Sequence, residues 1–150
     1  MIALIQRVSQ ARVDVAGQTV AAIGRGLLAL IGVEAGDEDG TAARLLERVL
    51  AYRVFPDGAA RMNLSVQDIQ GGLLLVPQFT LAADTSRGNR PGFSTAAPPE
   101  AARTLFTEFV SRARAAHREV GCGVFGADMQ VSLTNDGPVT FSLRVPPTRR

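Results

Sequence analysis

The carboxyl-terminal part of the chain alternates apolar and polar residues on both sides of a Gly-Pro dipeptide. Seven apolar residues fall at a spacing of two: Met129, Val131, Leu133, Val139, Phe141, Leu143 and Val145. This period is typical of strands that bury one face and expose the other. The sequence therefore predicts two strands joined by a hairpin whose tip is residues 135–140.

The dipeptide at that tip, Gly137-Pro138, is suited to a rigid turn. Proline fixes its own φ and restricts the residue before it, while glycine has no Cβ to keep other groups away. Main-chain groups at such a turn can approach a ligand closely. The alternative is an ordinary tight turn with no binding role, and the local sequence leaves both interpretations open.

The rest of the chain predicts a mixed sheet. Residues 2–15 alternate and favour two strands, followed by a turn at Ala16-Gly17-Gln18 and a returning strand over 19–23. The run Leu27 to Val33 is almost wholly apolar, which indicates a strand covered on both faces. Leu73 to Val76 is a second strand of this kind.

Two helices are predicted on either side of that second strand. The first begins near the acidic segment 36–41 and ends at Pro56-Asp57-Gly58, and the second begins at Pro98-Pro99-Glu100 and is closed by Gly121. A long loop, 82–97, precedes the second helix, and loops of this length are often functional. Each predicted helix has one apolar stripe. The stripe of the first helix is Leu45, Leu46, Val49 and Leu50, and that of the second is Leu105, Phe106, Phe109, Val110 and Ala113.

Polar side chains follow the buried strand that ends in Val76. Gln78 and Thr80 are two residues apart, so in an extended chain they project to one side, with Phe79 on the other. Pro77 donates no hydrogen bond, so the strand should be bulged or at an edge there. The pair could line a pocket, or it could be a solvated strand end.

Length and composition limit the classes of protein that fit. A chain of 150 residues that is 46% hydrophobic suits one domain, 1–150. No apolar run reaches the ~20 residues of a membrane span, and the first residues lack the features of a signal peptide, so we expect a cytoplasmic protein. The net charge of +2 does not by itself indicate nucleic-acid binding, although all sixteen basic residues are arginine.

Few residues are available for familiar catalytic chemistry. Cys122 and His117 are the only cysteine and histidine, which argues against a Cys/His zinc site and makes a hydrolytic triad improbable. The sequence has no Walker loop, dinucleotide fingerprint, HExxH or CxxC pair. We therefore expect no metal and no cofactor, and a pocket of main-chain groups, Gln78, Thr80 and the Gly137-Pro138 turn that orients and polarises a substrate.

Several segments resemble D-aminoacyl-tRNA deacylases along nearly the whole chain. The most specific are a strand end and a turn in the family's order, Gln78-Phe79-Thr80-Leu81 and Asn135-Asp136-Gly137-Pro138-Val139-Thr140. The others are Gln6-Arg7-Val8, Met62-Asn63-Leu64, Arg90-Pro91, Phe93-Ser94 and Ala127 to Leu133. Together with the pattern of elements, the resemblance implies a mixed, three-layer α/β/β domain of about seven strands, with two helices packed on stacked, barrel-like sheets.

The resemblance also implies an activity. It indicates a homodimeric proofreading enzyme that hydrolyses the ester between tRNA and a D-amino acid or glycine, without metal. In the family the Gly-Pro bond is cis, and the turn of one subunit enters the partner's pocket, where it holds the substrate amino group and rejects L side chains. Gly137 and Pro138 would have that role here.

Further roles are carried over residue by residue. Gln78, Phe79 and Thr80 would be the catalytic residues that line the aminoacyl pocket. Thr80 is a possible nucleophile in the family, but without a base we favour its orienting a water molecule whose attack the substrate ribose assists. Arg7 would brace the turn, and Asn135, Thr140 and Met129 would support the site. The chain departs from the family at Pro77, where a serine is usual. Two alternatives remain: a non-catalytic module that binds the tRNA end through Arg87 and Arg90, and a dimeric scaffold without substrate.

Overall fold

The longest strands in the molecule are β1 (Ile2–Val15) and β8 (Gln130–Arg144), and they pair with each other antiparallel. The opposite edge of β1 is shared by two shorter strands. Its first half pairs with β3 (Gly26–Gly32) and its second half with β2 (Gln18–Ile23). The computed structural model describes residues 1–148, and in them β1 is the strand with most partners.

The sheet continues from β3 through two parallel pairs. β6 (Gly72–Pro77) lies beside β3, and β7 (Val120–Cys122) lies beside β6. A separate antiparallel pair is formed by β4 (Phe55–Pro56) and β5 (Met62–Leu64). The protein is a mixed α/β domain with a nearly closed, barrel-like sheet and two helices, which confirms the expected fold class. The described residues form eight strands, where about seven were expected.

The two helices are α1 (Asp39–Ala51) and α2 (Pro99–Ala116), and they pack on each other as well as on the sheet. All nine residues of the two predicted apolar stripes are buried, so both stripes are confirmed. The predicted end of the first helix is wrong. The helix stops at Ala51 because Phe55 and Pro56 already pair with β5, which takes the chain away from the helix axis.

The hairpin predicted around the Gly-Pro dipeptide is also wrong. Both flanking segments belong to β8 and pair in one direction with β1, Leu133 opposite Ala11 and Phe141 opposite Ile5. Alternation at period two shows that a segment is extended, but it does not show whether the chain reverses between two such segments. Residues 2–15 likewise form one strand, where the sequence favoured two.

A second, smaller core covers the other face of the sheet from the helices. It contains Val8, Val13, Leu74 and Val76, and Met129 packs against it at the start of β8. This arrangement brings the end of β6 next to the segment before β8. No helix among residues 1–148 is both long and apolar enough to cross a membrane.

Candidate functional site

The carboxyl end of β6 provides the first part of the site. The pairing with β7 stops at Leu75, so Pro77 has a strand neighbour only on the β3 side, consistent with the expected edge. The N–H of Gln78 donates to the carbonyl of Ile31 at 2.8 Å, which ties the strand end to β3. The chain then enters a 3₁₀ turn, Phe79–Ala82.

The side chains of Gln78 and Thr80 lie side by side, although not in the way that the sequence predicts. The strand has ended at Pro77, so the alternation of an extended chain does not apply to them. Instead, the turn brings the two together, and Gln78 Nε2 donates a hydrogen bond to Thr80 Oγ1. Phe79 is 60% exposed, and its ring lies 5.2 Å from the ring of Phe93.

A small open cavity adjoins this turn. Its volume is about 250 Å³, and its lining includes Gln78, Phe79, Gly126 and Met129. Met129 reaches this position because Gly123 leaves room for it, since a Cβ at Gly123 would lie 2.7 Å from the Met129 sulfur. The structure thus brings four of the sequence-predicted residues together, namely Gln78, Phe79, Thr80 and Met129.

The loop after the turn is held close to the cavity. Asp84 and Gly92 exchange main-chain hydrogen bonds of 2.7 and 2.9 Å, which closes a loop with Arg87 and Arg90 exposed on it. The side chain and main chain of Ser86 hydrogen-bond the Asp84 carboxylate and lower its pKa. The loop ends at Phe93, whose ring contacts the exposed ring of Phe79. The sequence indicated Phe93 only as part of the Phe93-Ser94 match.

The Gly-Pro segment forms a bulge on β8. Asn135 pairs with Val8 and Thr140 pairs with Gln6, so residues 136–139 stand opposite the single residue Arg7. The peptide bond between Gly137 and Pro138 is cis. Gly137 has a φ of 137°, and a Cβ there would lie 2.7 Å from Val139 Cγ2, so only glycine fits this position.

Two side chains hold this bulge from opposite sides. Arg7 Nε donates to the carbonyl of Asp136 at 3.0 Å, and Arg7 Nη1 donates to the carbonyl of Val54 at 2.6 Å. The side chain of Arg7 is only 12% exposed, so the arginine is a fixed strut between the bulge and the segment before β4. No sequence pattern points to Val54, because a main-chain carbonyl 47 residues away leaves no side-chain signature.

Asn135 closes the bulge from within. Its Oδ1 accepts a hydrogen bond from the N–H of Val139 at 3.0 Å, and its Nδ2 donates to Thr140 Oγ1 at 2.8 Å. Gln6 Nε2 also donates to Thr140 Oγ1, at 3.4 Å. Arg7, Asn135, Thr140, Gly137 and Pro138 therefore form a second group of sequence-predicted residues. The residues at the tip, 136–138, are exposed.

The two groups are far apart in one chain. The bulge lies on β8 at the level of Arg7, which pairs with Leu27 of β3, and Leu27 pairs with Leu73 of β6. Gln78 lies three strands across from the bulge, about 14 Å, and five residues along, about 16 Å, measured over the sheet. Among residues 1–148 no hydrogen bond or shared cavity joins Gln78 or Thr80 to Gly137 or Pro138.

The first group can bind and orient, but it has no strong base. His117 lies at the end of α2, where its Nε2 is 2.6 Å from the carbonyl of Gly71, so it packs there as a structural residue. In the described part of the chain, no cluster of three or more histidine, cysteine or acidic side chains could hold a metal ion. The available groups are the hydroxyl of Thr80, the amide of Gln78 and main-chain donors and acceptors.

Sequence comparisons with a family model and with curated proteins agree on one kind of protein. Residues 4–144 match the family described as D-Tyr-tRNA(Tyr) deacylase. A D-aminoacyl-tRNA deacylase of Thioalkalivibrio sulfidiphilus is 63% identical over 99% of this chain and 100% of its own length. One of Cupriavidus metallidurans is 63% identical over 98% of this chain and 97% of its own.

Solved structures show the same fold. The structure described as c-Myc DNA Unwinding Element Binding Protein has a TM-score of 0.94 and 39% identity, covering 97% of this chain and 99% of that one. A probable eukaryotic D-amino acid tRNA deacylase has a TM-score of 0.85 at 17% identity, covering 96% and 98%, and supports the fold alone. The likeness extends over the whole sheet and both helices.

Proposed function

Since the chain belongs to the D-Tyr-tRNA(Tyr) deacylase family, we propose that it removes D-amino acids from tRNA by a site that two copies of the chain complete together. It is an enzyme that hydrolyses aminoacyl-tRNA esters, and its relatives are named for D-aminoacyl esters. Gln78, Phe79 and Thr80 carry out the hydrolysis, the Gly-Pro bulge selects the D form, and glycyl esters are substrates as well.

The aminoacyl group enters the cavity beside Gln78. Gln78, Phe79 and Met129 line it, and the hydrogen bond from Gln78 fixes the Thr80 hydroxyl at its edge. Because Gln78, Phe79 and Met129 supply no base to Thr80, the hydroxyl orients a water molecule and the neighbouring hydroxyl of the substrate ribose assists its attack. Positioning of this kind lowers the barrier without a charged catalyst.

The chirality filter is the bulge 136–139 of a partner subunit. The observation that carries this proposal is the separation of the two groups, because the exposed bulge is braced for contact yet stands far from its own chain's cavity. In a two-fold dimer each bulge can enter the other chain's cavity. There its carbonyls bind the amino group of the substrate, and a side chain of L configuration clashes with the fixed main chain. Glycine has no side chain to clash and is accepted.

Deacylation of D-tyrosyl-tRNA and L-tyrosyl-tRNA tests the activity directly. Purified protein with a chelator present should release D-tyrosine and spare the L ester. Binding of tRNA without release would favour a non-catalytic tRNA-end module, and neither binding nor release would favour a scaffold. No release at micromolar enzyme overturns the proposed hydrolysis.

Mixing two impaired variants tests the shared site. A Thr80→Val chain has a damaged cavity with an intact bulge, and a Gly137→Ala chain has the reverse. Dimers of one copy of each contain one undamaged site, so refolding an equal mixture should recover about a quarter of wild-type activity. Light scattering should give twice the mass of one 15.8 kDa chain. Absence of recovery in a demonstrated mixed dimer contradicts the proposal.

Pro77 affects the choice between D-aminoacyl and glycyl esters. The family's serine would offer a hydroxyl and an N–H next to Gln78, and Pro77 offers neither. The bulge retains its whole Asn-x-Gly-Pro-x-Thr pattern, which supports a preference for D esters. Restoring the serine by Pro77→Ser should leave this preference in place and change mainly the rate with glycyl-tRNA.

A further inference from the structure

A second cleft lies between α2 and β7, on the opposite side of the segment 123–127 from the aminoacyl cavity. Its volume is about 460 Å³. One side is a continuous face of α2 that carries Arg103, Ser111 and Arg114, and the other side contains Cys122 and Phe125. Nothing in the proposed hydrolysis uses these residues.

The two arginines of this cleft carry charge that the described residues do not neutralise. The guanidinium carbon of Arg103 lies 4.8 Å from the centre of the Phe125 ring, a stacking contact that fixes the plane of the fork and leaves its N–H edges free. Arg114 Nη2 lies 3.5 Å from the sulfur of Cys122. Neither arginine makes an ion pair with a carboxylate of residues 1–148, whereas Arg112 on the same helix pairs with Asp39.

The cleft and the aminoacyl cavity share a wall. The cleft lining includes Gly123 and Phe125, and the cavity lining includes Gly126 and Ala127, so the boundary between them lies within five consecutive residues. Gly126 is also close to the cleft's arginine, because a Cβ on it would lie 3.5 Å from Arg103 Nη2. A ligand that extends out of the cavity over this segment reaches Arg103 first.

We propose that the cleft binds the phosphodiester backbone of the single-stranded tRNA end that precedes the ester. This inference rests on the proposed function. A guanidinium fork binds a phosphate through two hydrogen bonds, and the Ser111 hydroxyl can donate another. Arg103 and Arg114 are eleven residues apart on α2, about 16 Å, so they contact different phosphates of one strand. Phosphate contacts position a nucleic acid without reading its sequence.

Arginine substitutions separate this role from hydrolysis itself. The test compares Arg103→Gln and Arg114→Gln with the control Arg61→Gln, which also removes one exposed positive charge but lies between β4 and β5. Each protein is assayed with D-tyrosyl-tRNA and with D-tyrosyl-adenosine, which keeps the ester and the terminal nucleoside but has no phosphodiester.

The expected result depends on the substrate. For D-tyrosyl-tRNA, each cleft variant should raise KM about tenfold with kcat nearly unchanged. The slope of log(kcat/KM) against log[salt] should become shallower by about 0.7 per lost contact. For D-tyrosyl-adenosine the cleft variants should equal wild type, and Arg61→Gln should equal wild type with both substrates. Unchanged KM and salt slope with D-tyrosyl-tRNA overturn the inference, and so does an equal loss with D-tyrosyl-adenosine.

Binding measurements keep the cleft testable if the wild type hydrolyses neither substrate. That result would reject the proposed function, and the cleft would then be tested by titration with uncharged tRNA. The cleft variants should bind it about tenfold more weakly than Arg61→Gln, and equal affinities overturn the inference. If Arg87→Gln and Arg90→Gln weaken binding instead, the phosphates lie on the 84–92 loop and the cleft assignment is wrong.

The single cysteine gives an independent reading of occupancy. Cys122 lines the cleft and is partly exposed, so alkylation by iodoacetamide reports on this one position. Saturating tRNA should slow the alkylation severalfold, and adenosine should not. An unchanged alkylation rate with tRNA bound contradicts the proposal.

Discussion

At the scale of single residues, Arg7 connects two parts of the chain that the sequence does not associate. It bonds two carbonyls at once, one on the bulge of β8 and one at Val54. Both hydrogen bonds have a charged donor, which makes them stronger than neutral ones, and the bond to Val54 is partly buried. The resemblance alone predicts that Arg7 supports the Gly-Pro turn. Its two hydrogen bonds show how one side chain can hold the bulge against the segment before β4.

Arg7→Lys tests that geometry. Lysine keeps the charge but has a single ammonium, which cannot reach both carbonyls as the fork does. We expect the preference for D over L esters to fall about tenfold while the fold is retained, measured as the ratio of kcat/KM values. Arg12→Lys is the matched control, because Arg12 is exposed and its ion pair within residues 1–148 is with Asp14. An unchanged ratio in Arg7→Lys would remove the arginine from the filter.

Thr80→Val tests whether the hydroxyl orients or attacks. Valine has nearly the same shape but cannot hydrogen-bond to Gln78 or to water. If Thr80 orients a water molecule, kcat should fall about tenfold, the value of one hydrogen bond. Thr80→Ser should restore most of the loss. A fall to the uncatalysed rate, together with a trapped acyl-enzyme in the wild type, would make Thr80 the nucleophile instead.

At the scale of elements, the register between strands determines where both groups of residues lie. β3 is central to this register, since it pairs with β1 on one side and β6 on the other. Gly26 and Gly72 are opposite each other at the start of this parallel pair. A Cβ at Gly26 would lie 1.9 Å from the carbonyl oxygen of Gly72, so the two strands approach this closely only because residue 26 has no side chain.

Gly26→Ala should therefore separate β3 from β6. The clash is with main chain, which cannot rotate away, so we expect a loss of about 3 kcal/mol in the free energy of unfolding by urea, with reduced activity. Gly40→Ala is the matched control. Nothing lies within 4 Å of a Cβ at that helical position, so it should be neutral or stabilise α1 by about 0.5 kcal/mol. Equal stability of the two variants would contradict the role given to the close approach.

Elements were predictable where a local pattern defines them and not where a partner does. The stripes of α1 and α2 have the period of an amphipathic helix, and the apolar runs of β3 and β6 have the short length and flanking glycines of buried strands. The course of β8 is set by the strand that its second half meets, which is β1. The relative directions of the Gln78 and Thr80 side chains are set by the point at which β6 ends. In the structure the sequence-predicted residues fall into two groups, and the separation of the groups follows from strand register, which alternation does not contain.

At the scale of the whole molecule, acid stability depends on exposed carboxylates that hold turns. Asp57 accepts hydrogen bonds from the main-chain N–H groups of Arg61 and Ala59, which lower its pKa below the ordinary 3.8. Asp68 and Asp84 are lowered in the same direction by Ser65 and Ser86, and Asp14 by Thr19. Asp37 differs, because burial raises its pKa.

These directions predict how stability changes with pH. A carboxyl whose pKa is lower in the folded state stabilises it above the unfolded value of about 3.8, and the contribution disappears as the pH falls through the folded value. The free energy of unfolding should thus decrease below about pH 4. Asp37 acts in the opposite sense: its contribution to the free energy of unfolding is lost as the pH rises above 3.8. This makes the overall dependence of stability on pH less steep.

Asp57→Ala measures one of these contributions. The variant should be less stable than wild type at pH 7, and the difference should shrink as the pH is lowered towards 2, because the protonated Asp57 is a weaker acceptor. Urea unfolding at several pH values gives the comparison, with Asp128→Ala as an exposed control. A difference that is constant with pH would show that Asp57 acts by shape and not by charge.

The bulge on β8 has a consequence for how substrates are sorted. Its two ends are fixed to residues of β1 only two positions apart, about 7 Å, so the extra chain length has nowhere to go but outward. Such a projection is permanent and needs no hinge. Mirror-image esters would then be separated by a surface that has its final shape before the substrate binds, and the ratio of kcat/KM for D and L esters should vary little between cold and warm conditions.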